Sequence, residues 1–282
     1  MTSLSINDSL RGKRCLVAGG AGGIGRSIAR ELLRAGAHVA LTDRDSKRLE
    51  AARDELAPIF GDSALTVSLC DSMDEAEVAA SVALAAGDSK ALHIAITTIG
   101  GGAVSPLLLT DSAVFEHSLK INVLPAFLLL KHAGPYLRAQ SDSAFLAISS
   151  IAAPMTSPLM GAYSAGKAAL EALVRTAAAE LGPFGVRVNA LRPGFTRTPA
   201  TVPAFEQPGY LDSYLQQQAL KRAGEPADIA AAARFLVGPE SSWVTGQCIA
   251  IDGGISLFRI PRRDGSAWGS VELPPDWHEY LR

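Results

Sequence analysis

The sequence predicts an α/β fold, a doubly wound parallel sheet of about seven strands with helices on both faces. Three observations predict it: apolar runs of strand length recur, alanine-rich segments of helix length separate them, and no linker interrupts the alternation before Gly254. Strands buried on both faces read as near-continuous apolar runs, and strands that alternate with helices build parallel sheets. The strand candidates are CLVAG from Cys15, HVALTD from His38, ALTVSLC from Ala64, LHIAIT from Leu92, SAFLAIS from Ser143, VRVNAL from Val186 and QCIAI from Gln247.

The chain is predicted to form one domain over residues 1–254, followed by a C-terminal extension over 255–282. Its 282 residues suit a single α/β domain, and hydrophobic residues, at 48%, provide material for a large core. Between the sixth and seventh strands, residues 196–222 form a long, proline-containing excursion of the kind that covers binding sites. We expect this segment to be a substrate lid.

Charge and composition argue against several classes of protein. A formal net charge of −2 gives no broad positive field for a nucleic-acid backbone. The opening MTSLSINDSLRGKRC has no signal-peptide core, and we expect no later segment to cross a membrane, which predicts a cytoplasmic protein. The three cysteines form no C-x-x-C pair and the five histidines are scattered, so we expect reduced core cysteines and no metal site.

A glycine-rich turn follows the first strand and opens a helix that begins near Arg26. Residues without a Cβ let the backbone bend and approach a ligand, while free N–H groups and the positive end of the helix dipole attract a pyrophosphate. The alternative interpretation is a flexible turn that binds no ligand, and only the surrounding sequence pattern can distinguish it from a pyrophosphate-binding turn. The cofactor-binding residues expected in this turn are Gly19, Gly23, Ile24 and Gly25.

Asp43 ends the second strand, at the distance beyond the glycines where an acidic side chain accepts hydrogen bonds from an adenosine ribose. Its carboxylate would repel the 2′-phosphate of NADP, so NAD is the expected cofactor and NADP the less favoured one. Arg44 is the counterargument, because a guanidinium can pair with that phosphate. The other interpretation of Asp43 is a helix cap or a turn residue.

Tyr163 and Lys167 open an alanine-rich helical segment, and their spacing of four residues puts them on one helical face. A free phenol has a pKa of about 10, but a neighbouring ammonium favours the phenolate and makes Tyr163 a usable acid or base. Taken alone, this spacing is common by chance, and a surface tyrosine with a solvated lysine is then the default interpretation.

Ser150 and Asn122 support a catalytic interpretation of Tyr163 and Lys167. Ser150 ends the fifth strand-like run, and the carboxyl ends of parallel strands are where open α/β folds bind ligands. Asn122 lies in the apolar-flanked segment LKINVLPAF, where its amide competes for backbone hydrogen bonds, so a functional reason for it is credible. A buried amide satisfied by its neighbours is the other interpretation of Asn122.

With these residues in place, the chain resembles the short-chain dehydrogenase/reductase family in its common single-domain, Rossmann-like form. The resemblance runs from Arg14 to Gly254. The segments that carry it are Ala18 to Gly25 for T-G-x-x-x-G-x-G, Ala147-Ile148-Ser149-Ser150 for N-x-S-S, Tyr163 to Lys167 for Y-x-x-x-K, Asn189 before Arg192-Pro193-Gly194, RAGEPADIAAAARFLVG, and WVTGQCIAIDGG.

The resemblance implies a catalytic role for four residues. Tyr163 would exchange the proton with the substrate oxygen, and Ser150 would hydrogen-bond that oxygen. Lys167 would bind the nicotinamide ribose hydroxyls and lower the pKa of Tyr163. Asn122 would position a water in the proton relay.

The resemblance also extends the cofactor site. Asp71, after the third strand, matches the adenine contact of the family, and Thr196 and Thr198 match positions that contact the nicotinamide carboxamide. The cofactor contacts implied outside the glycine turn are Asp43, Asp71, Tyr163, Lys167, Pro193, Thr196 and Thr198.

Three departures from the family pattern stand out. Ala18 replaces the usual threonine of the glycine turn, and Thr97-Thr98-Ile99-Gly100 replaces N-N-A-G. The third departure is the extension after Gly254, which carries Phe258, Trp268 and Trp277. That extension is either a surface strap on its own subunit or a segment that crosses to a neighbouring subunit and helps close its active site.

The leading functional hypothesis is an NAD(H)-linked enzyme that interconverts a secondary alcohol and a ketone of small-molecule size. The runner-up is an NADPH-dependent 3-oxoacyl-thioester reductase. A third hypothesis, a non-catalytic cofactor-binding regulatory protein, is disfavoured by the complete set of four catalytic residues. The resemblance implies a homo-oligomer, tetramer or dimer, and neither nucleic acid nor membrane is an expected partner.

Overall fold

The computed structural model describes residues 8–155, 157–206 and 208–257, and its sheet confirms the predicted α/β fold. The seven strands are β1 (Arg14–Ala18), β2 (His38–Asp43), β3 (Leu65–Leu69), β4 (Ile94–Thr97), β5 (Ser143–Ile148), β6 (Val186–Pro193) and β7 (Cys248–Ile251). All neighbouring pairs are parallel, in the order β3-β2-β1-β4-β5-β6-β7. The predicted strand candidates differ from these bounds by no more than two residues at either end.

Helices fill the connections between the strands, as the alternation predicts. They are α1 (Gly23–Arg34), α2 (Ser46–Phe60), α3 (Glu75–Ala86), α4 (Ser112–Leu137), α5 (Gly161–Leu181), α6 (Val202–Phe205), α7 (Tyr210–Gln216) and α8 (Pro226–Val237). Short 3₁₀ turns, among them Leu107–Leu109 and Ile255–Leu257, complete the described chain.

Two apolar layers cover the sheet, because successive side chains of a strand point to opposite faces. Val17 and Leu146 pack with helices α1, α2 and α8 on one face. Leu16 and Phe145, their strand neighbours, pack with helices α3, α4 and α5 on the other. Strands buried from both sides need apolar residues at every position, and this explains the unbroken apolar runs of the sequence.

The strand order places the candidate site. From β1 the chain winds outward through β2 and β3, and then crosses back to β4 on the other side of β1. Two connections therefore leave β1 and β4 in opposite directions, and they open a crevice at the carboxyl ends of these two strands. The glycine turn follows β1 at this crevice.

Helix α4 has the length and apolarity of a membrane span, and the expectation that no segment crosses a membrane stays a prediction. Its 26 residues contain an 18-residue window with a mean hydropathy of 1.4, of which 39% is buried. The helix packs along α5 and against β4, and its buried stripe includes Asn122, Ala126, Leu129, Ala133 and Leu137. A helix that faces both a sheet and a second helix is apolar over a wide arc, so this position in the sandwich explains the composition.

The predicted lid leaves the sheet after β6 and returns before α8. It contains α6 and α7, and it is tied at its base by a bridge between Thr196 and Gly224. The predicted boundary at Gly254 lies three residues beyond the end of β7. Phe258, Trp268 and Trp277 of the extension lie outside the described residues.

Candidate active site

The glycine turn between β1 and α1 is folded tightly on itself. Gly19 has a φ of +74°, a conformation that side-chain-bearing residues rarely adopt. A Cβ on Gly25 would lie 2.4 Å from the Gly19 carbonyl oxygen. Glycine is therefore required at both positions, and the turn directs the N-terminus of α1, which begins at Gly23, toward the crevice.

Thr98, directly after β4, ties this turn to the neighbouring strand. Its hydroxyl lies 2.9 Å from the Gly19 carbonyl oxygen and 3.1 Å from that of Ala18, and its backbone N–H donates to the Ala18 carbonyl at 2.9 Å. The sequence departs from the family pattern at both ends of this contact. In this chain the hydroxyl at this contact belongs to Thr98, while position 18 is alanine.

A cleft of about 610 Å³ runs along the carboxyl ends of β3, β2, β1 and β4. Of the residues predicted to bind a cofactor, those on its wall are Gly19, Gly23, Ile24, Gly25, Asp43, Asp71 and Thr198. The lining residues that the sequence did not single out for binding include Arg48, Ser72, Thr98, Ile99, Gly100 and Ile121. Most of these residues follow the ends of β3 and β4. Their position directly after a buried strand could have identified them as cleft residues from the sequence.

Asp43 lies at the end of β2 with its carboxylate on the cleft wall. Its Oδ1 accepts the Asp45 backbone N–H at 3.2 Å, and so it also closes the turn. The cap of α2 is Asp45, which accepts the Arg48 N–H at 3.1 Å. Arg44 lines the cleft beside Asp43, and Arg48, which pairs with Asp45 at 3.3 Å, is a second guanidinium there.

Tyr163 and Ser150 lie close together, but neither they nor Lys167, Pro193 and Thr196 are among the residues that line this cleft. Helix α5 begins at Gly161, so Tyr163 lies in its first turn, while Ser150 lies two residues beyond β5. Burial raises the pKa of Tyr163 above its ordinary value, and the neighbouring Ser150 side chain opposes that rise. Lys167 is not among the causes of this shift, and its predicted lowering of the Tyr163 pKa in the presence of a nicotinamide stays a prediction.

Lys167 lies one turn further along α5 and is 3% exposed. Its ammonium donates to the Ile148 carbonyl at 2.8 Å and to the Ile99 carbonyl at 3.4 Å, and it lies 5.9 Å from the Tyr163 ring centroid. Burial lowers the pKa of Lys167 to about 8, and the carboxylate of Glu171 opposes that shift. Sequence reasoning missed Glu171, although its spacing of four residues from Lys167 on one helix face could have found it.

Asn122 reaches this centre through a backbone loop. Its amide nitrogen donates to the Gly101 carbonyl and to the Ser118 carbonyl, both at 2.7 Å, and its Oδ1 accepts the Gly101 N–H at 3.2 Å. A Cβ on the preceding residue, Gly100, would lie 2.5 Å from the Lys167 ammonium. Asn122 therefore braces the loop that packs against Lys167, and its predicted role in holding a relay water stays a prediction.

The remaining predicted contacts lie between β6 and the lid. Pro193 ends β6, and its carbonyl accepts the Ile151 N–H at 3.2 Å, next to Ser150. Thr196 is buried, and its carbonyl accepts the Thr201 hydroxyl at 2.6 Å. The Thr201 hydroxyl also accepts the N–H of Thr198 at 2.8 Å. Thr198 thus faces the cleft from a loop that Thr201 holds in place. The sequence analysis did not single out Thr201.

An aromatic cluster joins the lid to the end of β6. Phe195 stacks on Phe205 with ring centroids 4.2 Å apart and packs against Tyr214 at 4.7 Å. The Tyr214 hydroxyl accepts the Phe195 backbone N–H at 3.0 Å. Arg197 lies over the Phe205 ring at 4.3 Å. These contacts hold α6 and α7 next to the strand end that leads to Thr196 and Thr198.

The chain is similar to known proteins over most of its length. A family model described as enoyl-(acyl carrier protein) reductase matches residues 19–256. A galactitol 2-dehydrogenase (L-tagatose-forming) of Cereibacter sphaeroides is 32% identical over 88% of this chain and 97% of its own length.

Two solved structures extend the comparison. A short-chain type dehydrogenase/reductase from Mycobacterium ulcerans is 35% identical and superposes with a TM-score of 0.85 over 89% of this chain and 92% of its own. A 7α-hydroxysteroid dehydrogenase, solved with NADH and 7-oxo glycochenodeoxycholic acid, is 31% identical, with a TM-score of 0.82 over 89% of this chain and 97% of its own.

The tie from Thr98 gives a direct test. Thr98→Val keeps the shape of the side chain and removes the hydroxyl, so the Gly19 and Ala18 carbonyls lose this donor. We expect the dissociation constant for a nicotinamide dinucleotide to rise about 3- to 10-fold, the effect of one net hydrogen bond. Binding is measured by calorimetric titration, with Thr66→Val on β3, an exposed position, as the matched control. An unchanged dissociation constant would show that the tie does not support binding.

Proposed function

We propose a specific reaction for this chain, which belongs to the short-chain dehydrogenase/reductase family and is an oxidoreductase that acts on hydroxyl or carbonyl groups. Within that class, it interconverts a secondary alcohol and a ketone with NAD(H), and Tyr163 is the acid and base. One observation carries the proposal: Ser150 and the buried Lys167 ammonium lie beside Tyr163, and Gly100, which packs against that ammonium, also lines the cleft next to the glycine turn.

The residues of the cleft fit a dinucleotide. Glycines at positions 19 and 25 let the turn fold closely on itself, since a Cβ on Gly19 would lie 2.5 Å from the Thr98 hydroxyl and one on Gly25 would lie 2.4 Å from the Gly19 carbonyl oxygen. The N-terminus of α1 suits a pyrophosphate, and Asp43 and Asp71 supply acceptors for the ribose and the adenine at the far side. When bound, the nicotinamide supplies a hydride for ketone reduction or accepts one from an alcohol.

The chain's own residues supply the proton chemistry. In reduction, Ser150 hydrogen-bonds the carbonyl oxygen and the Tyr163 hydroxyl donates its proton to that oxygen. Burial raises the pKa of Tyr163, so the phenol holds this proton until the carbonyl oxygen takes it. In oxidation, Tyr163 acts as the phenolate and takes the proton back. Lys167, held by the Ile148 carbonyl, provides the positive charge that stabilises the phenolate.

Replacement of Tyr163 by phenylalanine tests the assignment of the acid. The variant keeps the ring and the packing but cannot transfer a proton, so we expect kcat to fall about 10²- to 10⁴-fold while NADH binding stays within a factor of about two. Turnover is followed by nicotinamide absorbance with a panel of ketones and secondary alcohols, and Tyr136→Phe on α4 is the control. Unchanged turnover would refute the role of Tyr163. If the unaltered protein binds NADH and turns over none of the panel, the regulatory-protein hypothesis is favoured.

The preference for NAD rests on Asp43. Its carboxylate is an acceptor for ribose hydroxyls and repels a 2′-phosphate. Arg44 and Arg48 on the same wall are the observation that favours the second candidate, an NADPH-dependent 3-oxoacyl-thioester reductase, because two guanidiniums can hold that phosphate. The comparison of catalytic efficiencies with the two cofactors decides between them.

Asp43→Ser tests this preference. Loss of hydrogen bonds to a charged acceptor, worth about 1.5–3 kcal/mol, should lower kcat/KM for NADH about 10- to 100-fold, while kcat/KM for NADPH stays level or rises. Steady-state kinetics with both cofactors measures the ratio. Asp62→Ser, an exposed position that pairs with Arg53, is the control. Equal losses with both cofactors would contradict the role of Asp43.

The pKa of Lys167 predicts a pH dependence. Burial lowers that pKa to about 8, so the ammonium is charged below pH 8 and loses its charge as the pH rises through that value. We expect kcat/KM for ketone reduction to be level near pH 6–7 and to fall above about pH 8, because kcat/KM reports groups of the free enzyme. In Lys167→Arg, whose side chain stays charged, this alkaline limb should disappear even though overall activity is lower. A flat profile from pH 6 to 10 in the unaltered protein would contradict the assignment.

The partners remain proposals as well. The substrate is a small-molecule alcohol or ketone, and the enzyme is a cytoplasmic homo-oligomer, a tetramer or a dimer. Phe205 and Arg197 belong to the lid, which would cover that substrate, and the stack of Phe205 on Phe195 joins the lid to the end of β6.

A further inference from the structure

A second ionised side chain is buried behind the catalytic residues. Glu171 on α5 is 4% exposed. Its Oε1 accepts from the Arg192 Nε at 2.7 Å and from the Ser149 hydroxyl at 2.8 Å, and its Oε2 accepts from the Arg192 Nη2 at 2.6 Å. A buried carboxylate carries a large desolvation cost unless its oxygens are paired, and here both oxygens are paired with good geometry.

The partners of Glu171 connect it to the residues that carry the chemistry. Lys167 and Glu171 are four residues apart on one face of α5. The ammonium of Lys167 holds the Ile148 carbonyl, and Glu171 holds the hydroxyl of the next residue, Ser149. Helix α5 is therefore fastened to the end of β5 at two successive residues, and Ser150 follows directly.

Strand β6 closes the same network. Arg192 belongs to β6, and the Ser149 backbone N–H donates to the carbonyl of Leu191, its neighbour, at 2.7 Å. The turn that carries Ser150 is thus held from α5 through Glu171 and from β6 through Leu191. A change in the Glu171 carboxylate reaches Ser150 through this turn and Lys167 through the helix.

The charges around the carboxylate determine its effect on Lys167. Among the described residues, the groups that face Glu171 are Lys167 and Arg175 from α5, Arg192 from β6 and Cys248 from β7. Arg175 is exposed, with its Nη1 4.0 Å from Oε2. Burial lowers the pKa of Lys167, and Glu171 is the charge that opposes this shift.

We propose that Glu171 is a positioning residue for the reaction: its carboxylate keeps the Lys167 ammonium charged and holds the turn that carries Ser150 in place for proton transfer. This inference rests on the proposed function, because it assigns Glu171 to the same proton-transfer centre. Glu171 itself touches neither substrate nor cofactor in this assignment.

Glu171→Gln is the test, since it keeps the shape and removes the charge. We expect the alkaline limb of kcat/KM for ketone reduction to move to lower pH, so that the loss relative to the unaltered enzyme is about fivefold greater at pH 8 than at pH 6. NADH binding should stay within a factor of about two. Glu180→Gln on the exposed side of α5 is the control, and its pH profile should match that of the unaltered enzyme.

A merely structural role gives a different result. If Glu171 only fastens α5, Glu171→Gln lowers Tm and lowers activity equally at every pH, and this would overturn the proposal. Because an unpaired Arg192 could prevent folding, the double variant Glu171→Gln with Arg192→Met removes both members of the ion pair. The alkaline limb should move in the double variant too, and an unmoved limb there would likewise overturn the proposal.

Failure of the proposed function is distinguishable from failure of this inference. If the unaltered protein reduces no ketone, the proposed function fails and the inference with it. If it reduces a ketone and the pH profile of Glu171→Gln is unchanged, the inference alone is wrong.

Discussion

The burial of one ammonium group, that of Lys167, constrains the whole catalytic half of the molecule. A buried cation has to find acceptors, and in this fold they are the backbone carbonyls of Ile148 and Ile99, at the ends of two neighbouring strands. The same need excludes a side chain at Gly100, where a Cβ would meet the ammonium. Asn122 then braces the loop that passes so close, through both atoms of its amide. Sheet, loop and two helices are thereby fixed relative to a single nitrogen atom.

The site consists of two halves that different parts of the sheet position. The glycine turn and Asp43 belong to β1 and β2, whereas Ser150 and Tyr163 depend on β5 and on the first turn of α5. The halves meet at Ile99 and Gly100, which line the cleft and also contact Lys167. Because parallel strands end at one edge of the sheet, residues from distant parts of the sequence share this one surface.

The sequence predicted most of what depends on local chemistry. Buried strands are continuous apolar runs, so their bounds were found within two residues, and the glycine turn has a mechanism that can be read from residue types. The contact between Glu171 and Arg192 could not be read in this way, because it joins residues 21 apart on a helix and a strand whose packing no spacing rule encodes. Length and composition alone do not separate helix α4 from a membrane span, because a core helix and a membrane span can have similar apolar content. The rise in the pKa of Tyr163 depends on burial, which exists only after folding.

The tie between β4 and the glycine turn has a consequence for protein engineering and for motif searches. In this chain the side-chain hydroxyl between the turn and β4 comes from Thr98 and not from residue 18. A search that requires threonine at position 18 would reject this chain, although Thr98 joins the glycine turn to the end of β4. Substitutions at positions 18 and 98 should accordingly be made and measured together, because both residues take part in this one contact.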